Sequence, residues 1–435
     1  MDAELSILCL LSIICLSSII ASLSVIASAM AWGVVLMSVV CIALTFYALA
    51  RLRPLEPTLD ASLSSASAPL VSIVVPVRNE AGRVLRESIG SLLAQDYGSF
   101  EVVAVNDRST DETGAILAAM ARDDARLRLV EGVEPPAGWL GKPFAMRQGL
   151  AHARGDWLLA TDADMILDSA ALSTAMGDAL KRDLDALTLL PHFESYSFWE
   201  RVVIPAWVWA LLMVFVLYRV NHPRSRGALG IGGFFLVRRS ALEGVGGYDA
   251  LKDEAAEDFR LAEMLKQSGV RVRFERAPRL VRTRMYKNFR EMWECHAKNW
   301  FAGAKYSLLL AVTSVVGVYL FGVAPPLIAL ACAVGLAFGA DAELWRALVP
   351  AALAWAMQVL LLALLNRRLR VPLRYALLAP LGLASLYAIL LDSALRITTG
   401  RGVTWKGRSV YERAGGMRPP RGQSARIKAS VEADE

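Results

Sequence analysis

The sequence is poor in the residues that form most zinc sites and nucleophilic catalytic sites. Its 435 residues include five cysteines and four histidines. The cysteines show no metal-ligand spacing and most lie in apolar runs, so buried free thiols are the favoured interpretation. The histidines have neither zinc spacing nor a partner nucleophile and are scattered: His152, His192, His222 and His296. The sequence therefore predicts no zinc site and no histidine-dependent nucleophile.

The chain also lacks a cluster of basic residues on the surface of its soluble part. Charged residues make up 20% of it and the net charge is +6. The basic residues cluster beside apolar runs, which excludes nucleic acid as an expected partner and is typical of cytoplasmic membrane flanks. Hydrophobic residues make up 55%, too much for an ordinary soluble protein. We therefore expect an integral protein of a bacterial-type cell or inner membrane, with its catalytic domain in the cytoplasm.

The N-terminal region, residues 1–50, is predicted to be membrane-embedded. Residues 5–50 are almost continuously apolar, about twice the roughly 20 residues that one span needs. The stretch 27–33, which contains a serine and a glycine, predicts a turn between two helices, near 5–26 and 32–50. A cleaved signal peptide is an alternative, but no basic n-region precedes the apolar run. Arg51 and Arg53 place the following linker, 51–68, in the cytoplasm.

The C-terminal membrane region is predicted over 306–395. Its apolar runs lie near 308–322, 325–339, 347–366 and 375–394, with Pro325 and Pro326 between the first two. Basic residues follow both the third and the fourth run, so the number of crossings stays open. Residues 396–435 form a basic cytoplasmic tail whose end, 415–435, is expected to be disordered.

Between these regions, residues 69–305 alternate short apolar runs with helical patterns. Strands are expected at 69–78, 100–105 and 127–130, with further strands at 157–160, 186–190, 229–238 and 270–274. This alternation predicts an α/β domain with a mostly parallel sheet. The apolar stretch 199–218 interrupts it, and we expect that stretch to be interfacial or re-entrant. An amphipathic helix is expected at 286–301, at a membrane surface or against the core.

Asp162 and Asp164 follow the buried strand that begins at Trp157. In an extended chain, residues i and i+2 point to one side, so both carboxylates would face the carboxyl edge of the sheet. Two such oxygen ligands suit Mg²⁺ or Mn²⁺, which also binds phosphates. Most isolated Asp-x-Asp pairs are solvated turn residues, so the pair needs support from the rest of the chain.

That support comes from further acidic residues at predicted strand ends: Asp107, Asp249, Glu257 and Asp258. Together with the run Val71–Glu80, in which strand residues lead to Arg78, Asn79 and Glu80, they resemble family 2 glycosyltransferases with the GT-A fold. The resemblance covers roughly 69–300. It implies a Rossmann-like, mostly parallel sheet and a hexosyltransferase that uses a nucleotide sugar.

A narrower similarity lies in four short motifs. They are Gly138-Trp139-Leu140-Gly141-Lys142, Arg284-Met285-Tyr286, Lys298-Asn299 and Trp405-Lys406-Gly407-Arg408. These resemble the membrane-bound branch associated with carotenoid and hopanoid glycosylation. That resemblance implies an isoprenoid-type membrane lipid as acceptor.

The resemblance also implies roles for individual residues. The metal would be held by Asp164 and Asp162. The nucleotide sugar would be bound by Glu80, Asp107, Lys142, Asp162 and Arg284. Asp258 would be the catalytic base, supported by Glu257. The acceptor or sugar pocket would include Gly232, Gly233, Asp249 and Trp300. Family members usually carry Asp at position 106, where this chain has Asn106, which keeps hydrogen bonding but loses a charge.

Simpler interpretations stay open for several of these residues. Lys142 could be a surface lysine at a helix start, and Glu257-Asp258 could be an acidic pair favoured by the helix dipole. Arg284 could clamp a diphosphate or anchor the chain at a membrane interface.

One departure bears on the type of transferase. Processive synthases of this superfamily carry Gln-x-x-Arg-Trp where this chain has His296-Ala297-Lys298-Asn299-Trp300. We therefore favour inverting, metal-dependent transfer of a single sugar from a UDP-hexose. The alternatives are a processive polysaccharide synthase, and a non-catalytic membrane transport or scaffold protein with a degenerate nucleotide-binding domain.

Overall fold

The chain divides into two compact units. The computed structural model describes residues 2–410, apart from 53, 59–62, 64, 66, 215–219, 223–224, 226, 305 and 406–407. One unit, the helical unit, is Met1–Phe46, Arg201–Ala210 and Val312–Ala388. The other, the sheet unit, is Tyr47–Glu200, Leu211–Ala311 and Ile389–Glu435. The predicted disorder at 415–435 falls outside the described residues.

The sheet unit is built around seven strands in the order β3-β2-β1-β4-β8-β6-β9. They are β1 (Val71–Val77), β2 (Phe100–Asn106), β3 (Leu127–Glu131), β4 (Trp157–Ala160), β6 (Ala186–Leu190), β8 (Phe235–Arg238) and β9 (Val272–Arg276). All neighbours are parallel except those of β8, which runs antiparallel to β4 and β6. This is the predicted GT-A-like, mostly parallel sheet.

Helices connect these strands on both faces of the sheet, as the strand–helix alternation predicts. They are α2 (Leu85–Leu93), α3 (Thr113–Asp123), α4 (Gly141–His152), α5 (Ala171–Lys181), α7 (Arg239–Gly244) and α8 (Glu257–Gln267). Strand β2 is buried along its whole length, as expected for a strand covered on both faces. Ser109 does not cap α3, which begins only at Thr113. The Ser109 hydroxyl accepts a hydrogen bond from the Asn79 N–H instead, at 3.1 Å.

Three smaller elements complete the sheet unit. Strand β10 (Val281–Thr283) pairs with β5 (Met165–Leu167) and with β7 (His192–Phe193) in a second sheet. Helix α9 (Phe289–Gly303) follows, at the position of the predicted amphipathic helix. A hairpin of β11 (Val403–Trp405) and β12 (Arg408–Val410) packs against α9 through β11.

Helix α6 (Phe198–Val214) begins with a capping box. The Ser197 N–H donates to the Glu200 carboxylate at 2.5 Å, and the Glu200 N–H donates to the Ser197 hydroxyl at 3.3 Å. This reciprocal pair satisfies two amide groups at the helix start. The predicted stretch 199–218 is thus a helix up to Val214, and its last residues lie outside the described part of the chain.

The helical unit contains most of the apolar runs. Four helices of the described residues are long and apolar enough to cross a membrane: Ser28–Arg51, Leu308–Ala337, Ala342–Leu369 and Leu373–Thr398. The first is part of α1 (Asp2–Arg51), a single helix where the sequence predicted two. The stretch 27–33 is rich in alanine, the best helix former, and one glycine costs only about 1 kcal/mol. No proline breaks this stretch, so the helix continues.

The C-terminal runs also differ from prediction. Helices α10 (Leu308–Val318) and α11 (Ala324–Ala337) are joined by a π-helical turn, so the first two apolar runs form one span-length helix. Pro325 and Pro326 follow the π-helical turn directly, and the Phe321 carbonyl, to which Pro325 cannot donate, accepts a hydrogen bond from Gln358 Nε2 instead. Helices α12 (Trp345–Leu369) and α13 (Ala379–Thr398) follow.

Candidate active site

A lysine and three carboxylates meet at the carboxyl end of β4. Lys142 lies in the first turn of α4, and its Nζ is 2.7 Å from Asp162 Oδ1 and 2.7 Å from Glu257 Oε1. Asp162 follows β4, whereas Glu257 and Asp258 form the first turn of α8. Lys142 thus links Asp162, which follows a central strand, to Glu257, which begins a helix about a hundred residues later in the chain. We call Lys142, Asp162, Gly232, Glu257 and Asp258 the carboxylate pocket.

Gly232 closes this pocket from the chain segment before β8. Its N–H donates to Asp258 Oδ2 at 2.6 Å, and the Phe259 N–H donates to Asp258 Oδ1 at 2.8 Å. A Cβ at Gly232 would lie 3.0 Å from Lys142 Nζ and 3.1 Å from Asp258 Oδ2. Because β8 runs antiparallel to β4, its start lies at the same edge as the end of β4. Glycine is required here by close approach to charged side chains.

Burial and neighbouring charges shift the pKa values of side chains in the carboxylate pocket. Burial, followed by the neighbouring Glu257 carboxylate, raises the pKa of Asp258 to about 6. For Lys142, loss of hydration acts against the ammonium, but the carboxylates around it outweigh this and raise its pKa well above the ordinary value. A charged lysine and a carboxyl group that titrates near neutral pH are thus held side by side. Such a carboxyl group is suited to accept a proton.

The pocket contains a tyrosine where the sequence predicted an acid. Tyr248 lines it and is buried, and burial together with Glu257 raises the pKa of its hydroxyl. Asp249, predicted for the sugar or acceptor pocket, instead forms an ion pair with Arg147 at 3.0 Å and is largely exposed. The two residues lie in one turn of 3-10 helix entered through left-handed Gly246, so neighbouring side chains point in different directions. The structure therefore directs Tyr248, and not Asp249, into the carboxylate pocket.

Asp164 lies in the same turn as Asp162 rather than in an extended strand. Strand β4 ends at Ala160, and the Met165 N–H donates to the Asp162 carbonyl at 3.2 Å. The expectation that both carboxylates face one way because the chain is extended is therefore wrong. Asp164 is close to Tyr286, since after burial and Cys295 its carboxylate helps to raise the pKa of that tyrosine.

Glu80 and Asp107 lie in the loops after β1 and β2 and are both buried. Side chains of one loop bind the backbone of the other. The Thr110 N–H donates to Asn79 Oδ1 at 2.9 Å, and the Glu80 N–H donates to Thr113 Oγ1 at 2.8 Å. Asp107 Oδ1 accepts from Arg108 Nε at 3.1 Å. We call this pair of loops, 78–83 and 106–113, the paired loops.

Asn106 has a specific partner in this region. Its Nδ2 donates to Glu131 Oε2 at 2.7 Å, and its Oδ1 accepts from the Ser109 N–H at 3.2 Å. An aspartate there would bring its carboxylate against that of Glu131. Asparagine at this position is therefore explained by its neighbour.

Arg284, predicted for the nucleotide sugar, forms a fork with Glu200. Its Nε is 2.9 Å from Glu200 Oε1 and its Nη2 is 3.3 Å from Oε2. Glu200 is fully buried, and hydrogen bonds from Arg284 and Ser197 outweigh burial and lower its pKa. The structure thus gives Arg284 a packing role at the start of α6 and does not bring it into the carboxylate pocket. The role of Glu200 could have been found from the Ser-x-x-Glu pattern.

The other predicted acceptor residues lie near other partners. Gly233 packs on Met165, which would be 2.6 Å from a Cβ there, and its carbonyl accepts from Thr161 Oγ1 at 2.7 Å. Trp300 Nε1 donates to His296 Nδ1 at 3.1 Å. The structure therefore brings five of the predicted site residues into the carboxylate pocket, keeps Asp164 in the turn that holds Asp162, and places Glu80, Asp107 and Trp300 on other elements.

The carboxylates of Asp162 and Asp164 fit a divalent cation that enters the site bound to a diphosphate. Among the described residues, no group of three or more His, Cys, Asp or Glu side chains is arranged to hold a metal ion. Mg²⁺ is commonly held by only one or two carboxylates, with substrate phosphates and water completing its shell. Asp162 and Asp164 in one turn supply that number, and Asp162 already faces the Lys142 cation.

A mostly parallel sheet with a carboxylate pocket at its carboxyl edge is the arrangement of an α/β domain of GT-A type. The sequence comparison makes this more specific. Residues 72–246 match the family described as glycosyl transferase family 2. This chain therefore carries a family 2 glycosyltransferase domain.

Two curated relatives illustrate the range of similarity. Glycosyltransferase GlyG of Streptococcus pneumoniae is 30% identical over 118 residues, which are 27% of this chain and 38% of that protein. The 4,4'-diaponeurosporenoate glycosyltransferase of Staphylococcus aureus is 24% identical over 299 residues, 66% of this chain and 74% of that protein. This chain thus spans well under two thirds of the pneumococcal relative.

Among solved structures, a mannosyltransferase from Pyrobaculum calidifontis in complex with GDP-Man and Mn²⁺ is similar. It is 21% identical, with a TM-score of 0.49, over 85% of this chain and 98% of that one.

Proposed function

We propose that this chain transfers a single sugar, with inversion, from a UDP-hexose to an oxygen of an isoprenoid-type lipid in the membrane. The family 2 domain supports the reaction class. The observation that carries the chemistry is Asp258. Its carboxylate is held by the Gly232 N–H and lies beside Lys142 and Asp162, in one pocket at the carboxyl edge of β4.

The proposed step is one displacement. The acceptor O–H gives its proton to Asp258 as the oxygen attacks the anomeric carbon of the sugar. The new C–O bond forms while the bond from that carbon to the diphosphate oxygen breaks, and UDP leaves with the bonding electrons. Attack opposite the leaving group inverts the configuration, so a UDP-α-sugar gives one β-linked sugar.

Lys142 has a defined part in this step. It neutralises Asp162 and Glu257 before the donor binds, and its ammonium can then turn to the charge that develops on the diphosphate. Glu257, buried beside Asp258, keeps Lys142 at the base. The paired loops hold Glu80 and Asp107 for the nucleoside.

Mg²⁺ or Mn²⁺ would be held by Asp164 and Asp162 and would neutralise the departing diphosphate.

The four span-length helices support a membrane-embedded acceptor. The carotenoid acid in the name of the staphylococcal relative supports the isoprenoid class. We place the domain of residues 69–305 in the cytoplasm, with 51–68 as linker and 396–435 as tail. Helix α6 would lie at the membrane interface, because a crossing at 199–218 would separate Asp162 from Asp258.

The experiment combines binding and transfer with one variant. The protein is reconstituted in liposomes that contain 4,4'-diaponeurosporenoate or farnesol and is given radiolabelled UDP-glucose. We expect Asp258→Asn to bind UDP in calorimetry with wild-type affinity but to lose transfer by about a thousandfold. Asp183→Asn, which changes an exposed acid paired with Arg271, is the matched control and should transfer normally.

Three results would contradict the proposal. Loss of UDP binding in Asp258→Asn would assign the residue to the nucleotide site. A ladder of sugar additions by mass spectrometry would favour a processive synthase, and an α-linked product would exclude a single displacement. Absence of UDP release with every lipid tested, including a total extract of the native membranes, would favour a non-catalytic protein.

A further inference from the structure

Four residues directly before β8 form a tight turn beside the proposed base. The Phe234 N–H donates to the Ile231 carbonyl at 3.2 Å, so 231–234 is a β-turn with Gly232 and Gly233 at its centre. We call residues 231–234 the glycine turn. The proposed reaction uses one group of this turn, the Gly232 N–H, which donates to Asp258 Oδ2 at 2.6 Å.

Two buried threonines hold the glycine turn from the main sheet. Thr188 Oγ1 accepts a hydrogen bond from the Ile231 N–H at 2.9 Å. Thr161 Oγ1 donates to the Gly233 carbonyl at 2.7 Å. Thr188 and Thr161 are 0% and 1% exposed, so water does not compete for these hydroxyl groups. The residues on both sides of Gly232 are therefore tied by side chains that sequence reasoning missed.

Both threonines are attached to rigid parts of the sheet. Thr188 lies in β6, between β8 and β9, and its backbone pairs with both strands. The Thr161 N–H donates to the Val74 carbonyl of β1 at 3.2 Å. Groups on strands are held more precisely than groups on loops. Loss of either hydroxyl group should therefore free the glycine turn and leave the strand in place.

The chain approaches the start of α8 closely as it enters the glycine turn. A Cβ at Gly230 would overlap the Asp258 carbonyl oxygen, and a Cβ at Gly232 would lie 3.1 Å from Asp258 Oδ2. The backbone of the turn is thus packed directly on the backbone and the side chain of the base. A small movement of the turn would therefore change the hydrogen bond from Gly232 to Asp258.

That hydrogen bond fixes the rotation of the Asp258 carboxylate. Oδ2 accepts from the Gly232 N–H, and Oδ1 accepts from the Phe259 N–H at 2.8 Å. Each carboxylate oxygen has two acceptor sites. When an N–H occupies one site on each oxygen, the remaining lone pairs have a defined direction. Phe259 belongs to α8, as Asp258 does, whereas the Gly232 N–H orients the carboxylate relative to the sheet.

We propose that Thr188 and Thr161 are positioning residues for the base Asp258: they hold the glycine turn so that its central N–H fixes the direction in which the carboxylate accepts the acceptor's proton. This inference rests on the proposed function, in which Asp258 is the base. The two threonines act through the turn and not by contact with the reacting atoms.

The first test compares variants that remove or keep the Thr188 hydroxyl group. With the carotenoid-acid liposomes and UDP-glucose, we expect Thr188→Val to lower kcat about tenfold, since a small misplacement of a catalytic group is costly. Thr188→Ser should stay within about threefold of the wild type, because its hydroxyl group can accept the same hydrogen bond. UDP affinity in calorimetry should stay close to the wild-type value in both, because Lys142 has its own contacts to Asp162 and Glu257 at 2.7 Å.

Thr174→Val is the matched control. Thr174 is also a buried threonine of the sheet unit, and its Oγ1 accepts from the Thr58 N–H and donates to the Thr58 carbonyl, both at 3.0 Å. It lies on α5, which does not line the carboxylate pocket. The control variant should lose thermal stability much as Thr188→Val does, but should keep the wild-type kcat.

The Thr161 variants test the other end of the glycine turn. Thr161→Val removes a donor from a carbonyl, which a protein interior tolerates better than an N–H without an acceptor. This variant should therefore fold even if Thr188→Val does not. We expect a kcat about tenfold below that of the wild type, again with little change in UDP affinity. Thr161→Ser should restore kcat.

Hydrogen exchange measured by mass spectrometry needs neither a donor nor an acceptor. The Ile231 and Gly232 amides are both hydrogen-bonded, so loss of the Thr188 hydroxyl group should open them together. A peptide that covers 229–235 should exchange faster in Thr188→Val than in the wild type. In Thr188→Ser and Thr174→Val, the same peptide should exchange as it does in the wild type.

Four results would overturn the inference. They are a wild-type kcat in either valine variant of the turn, equal kcat in Thr188→Val and Thr188→Ser, unchanged exchange of 229–235 in Thr188→Val, and an equal loss of kcat in Thr174→Val. The last would show that kcat follows stability in general.

Failure of the proposed function is a different result. In that case the wild type transfers no sugar to any lipid, while the exchange of 229–235 still confirms or contradicts the hold of Thr188 on the glycine turn.

Discussion

The two parts of the candidate site are held together by different kinds of interaction. In the carboxylate pocket, one side chain, Lys142, contacts two acids from distant parts of the chain at 2.7 Å. In the paired loops, hydrogen bonds between backbone and polar side chains share the task, and Glu80 and Asp107 are buried among them. A single substitution should therefore have a large effect in the pocket and a small effect in the loops.

The largest effect should follow loss of the central cation. Lys142→Met removes the ammonium and leaves Asp162, Glu257 and Asp258 as neighbouring negative charges. We expect transfer to fall at least about a hundredfold, since one group that stabilises developing charge contributes roughly 3 kcal/mol. Steady-state transfer from UDP-glucose measures it. Lys142→Arg should recover part of the activity, and equal activity of Lys142→Met and wild type would refute the central role of this residue.

Gly232→Ala should have the next largest effect. The added methyl group would lie about 3 Å from Lys142 Nζ and Asp258 Oδ2 and must displace one of them. We expect transfer to fall by tens of fold and UDP affinity to fall by less, because Lys142 is disturbed but the paired loops are not touched. The control is Gly244→Ala, whose Cβ meets nothing within 4 Å. Similar activity of the two variants would contradict the close approach.

The pH profile should report the pocket. Asp258 accepts the proton only when ionised, and its pKa is raised to about 6. Transfer should therefore be low at pH 5, rise through about pH 6 and level off above pH 7. Lys142 lowers the pKa of Asp258, so in residual activity of Lys142→Met the midpoint should move to higher pH. The profile of kcat/KM measures both, and a profile flat from pH 5 to 8 would exclude Asp258 as the base.

The smallest effect should come from the paired loops. Asn106→Asp would set a second carboxylate against Glu131, but other hydrogen bonds hold the loops and Glu131 is exposed. We expect a loss of stability of about 1 kcal/mol and a change of only a few fold in UDP affinity. Thermal unfolding and calorimetry measure these. The second change Glu131→Gln should restore both, and a loss as large as that of Lys142→Met would contradict the comparison.

The sequence predicted the sheet well because each strand can be recognised from its own local pattern of apolar residues. Buried runs such as Val71–Val77 and Ala186–Leu190 are apolar apart from Ser72 and Thr188, and polar turn residues bound them. The pairing of Lys142 with two distant acids left no such local pattern. It depends on which strand ends become neighbours, and on the antiparallel insertion of β8 that brings Gly232 to the end of β4.

The incorrect predictions have two physical causes. Asp249 was predicted as one of the acidic residues at strand ends, but the direction of a side chain in a turn depends on backbone angles set by Gly246. Two helices were predicted in 5–50 because serine and glycine often end helices. A break was predicted at Pro325 because proline often does the same. In an apolar environment a helix continues wherever its own backbone bonds can be made.

The hydrogen bond from Trp293 Nε1 to Asp392 Oδ2, at 2.7 Å within the sheet unit, gives an acid of a span-length helix its partner. Asp392 lies in Leu373–Thr398, and a carboxylate in such a helix is costly in an apolar environment unless it is paired. Arg396 Nε also donates to Asp392 Oδ1, at 2.8 Å. The acid is therefore shared between α9 and its own helix, and Asp392→Leu would leave the Trp293 N–H without this acceptor.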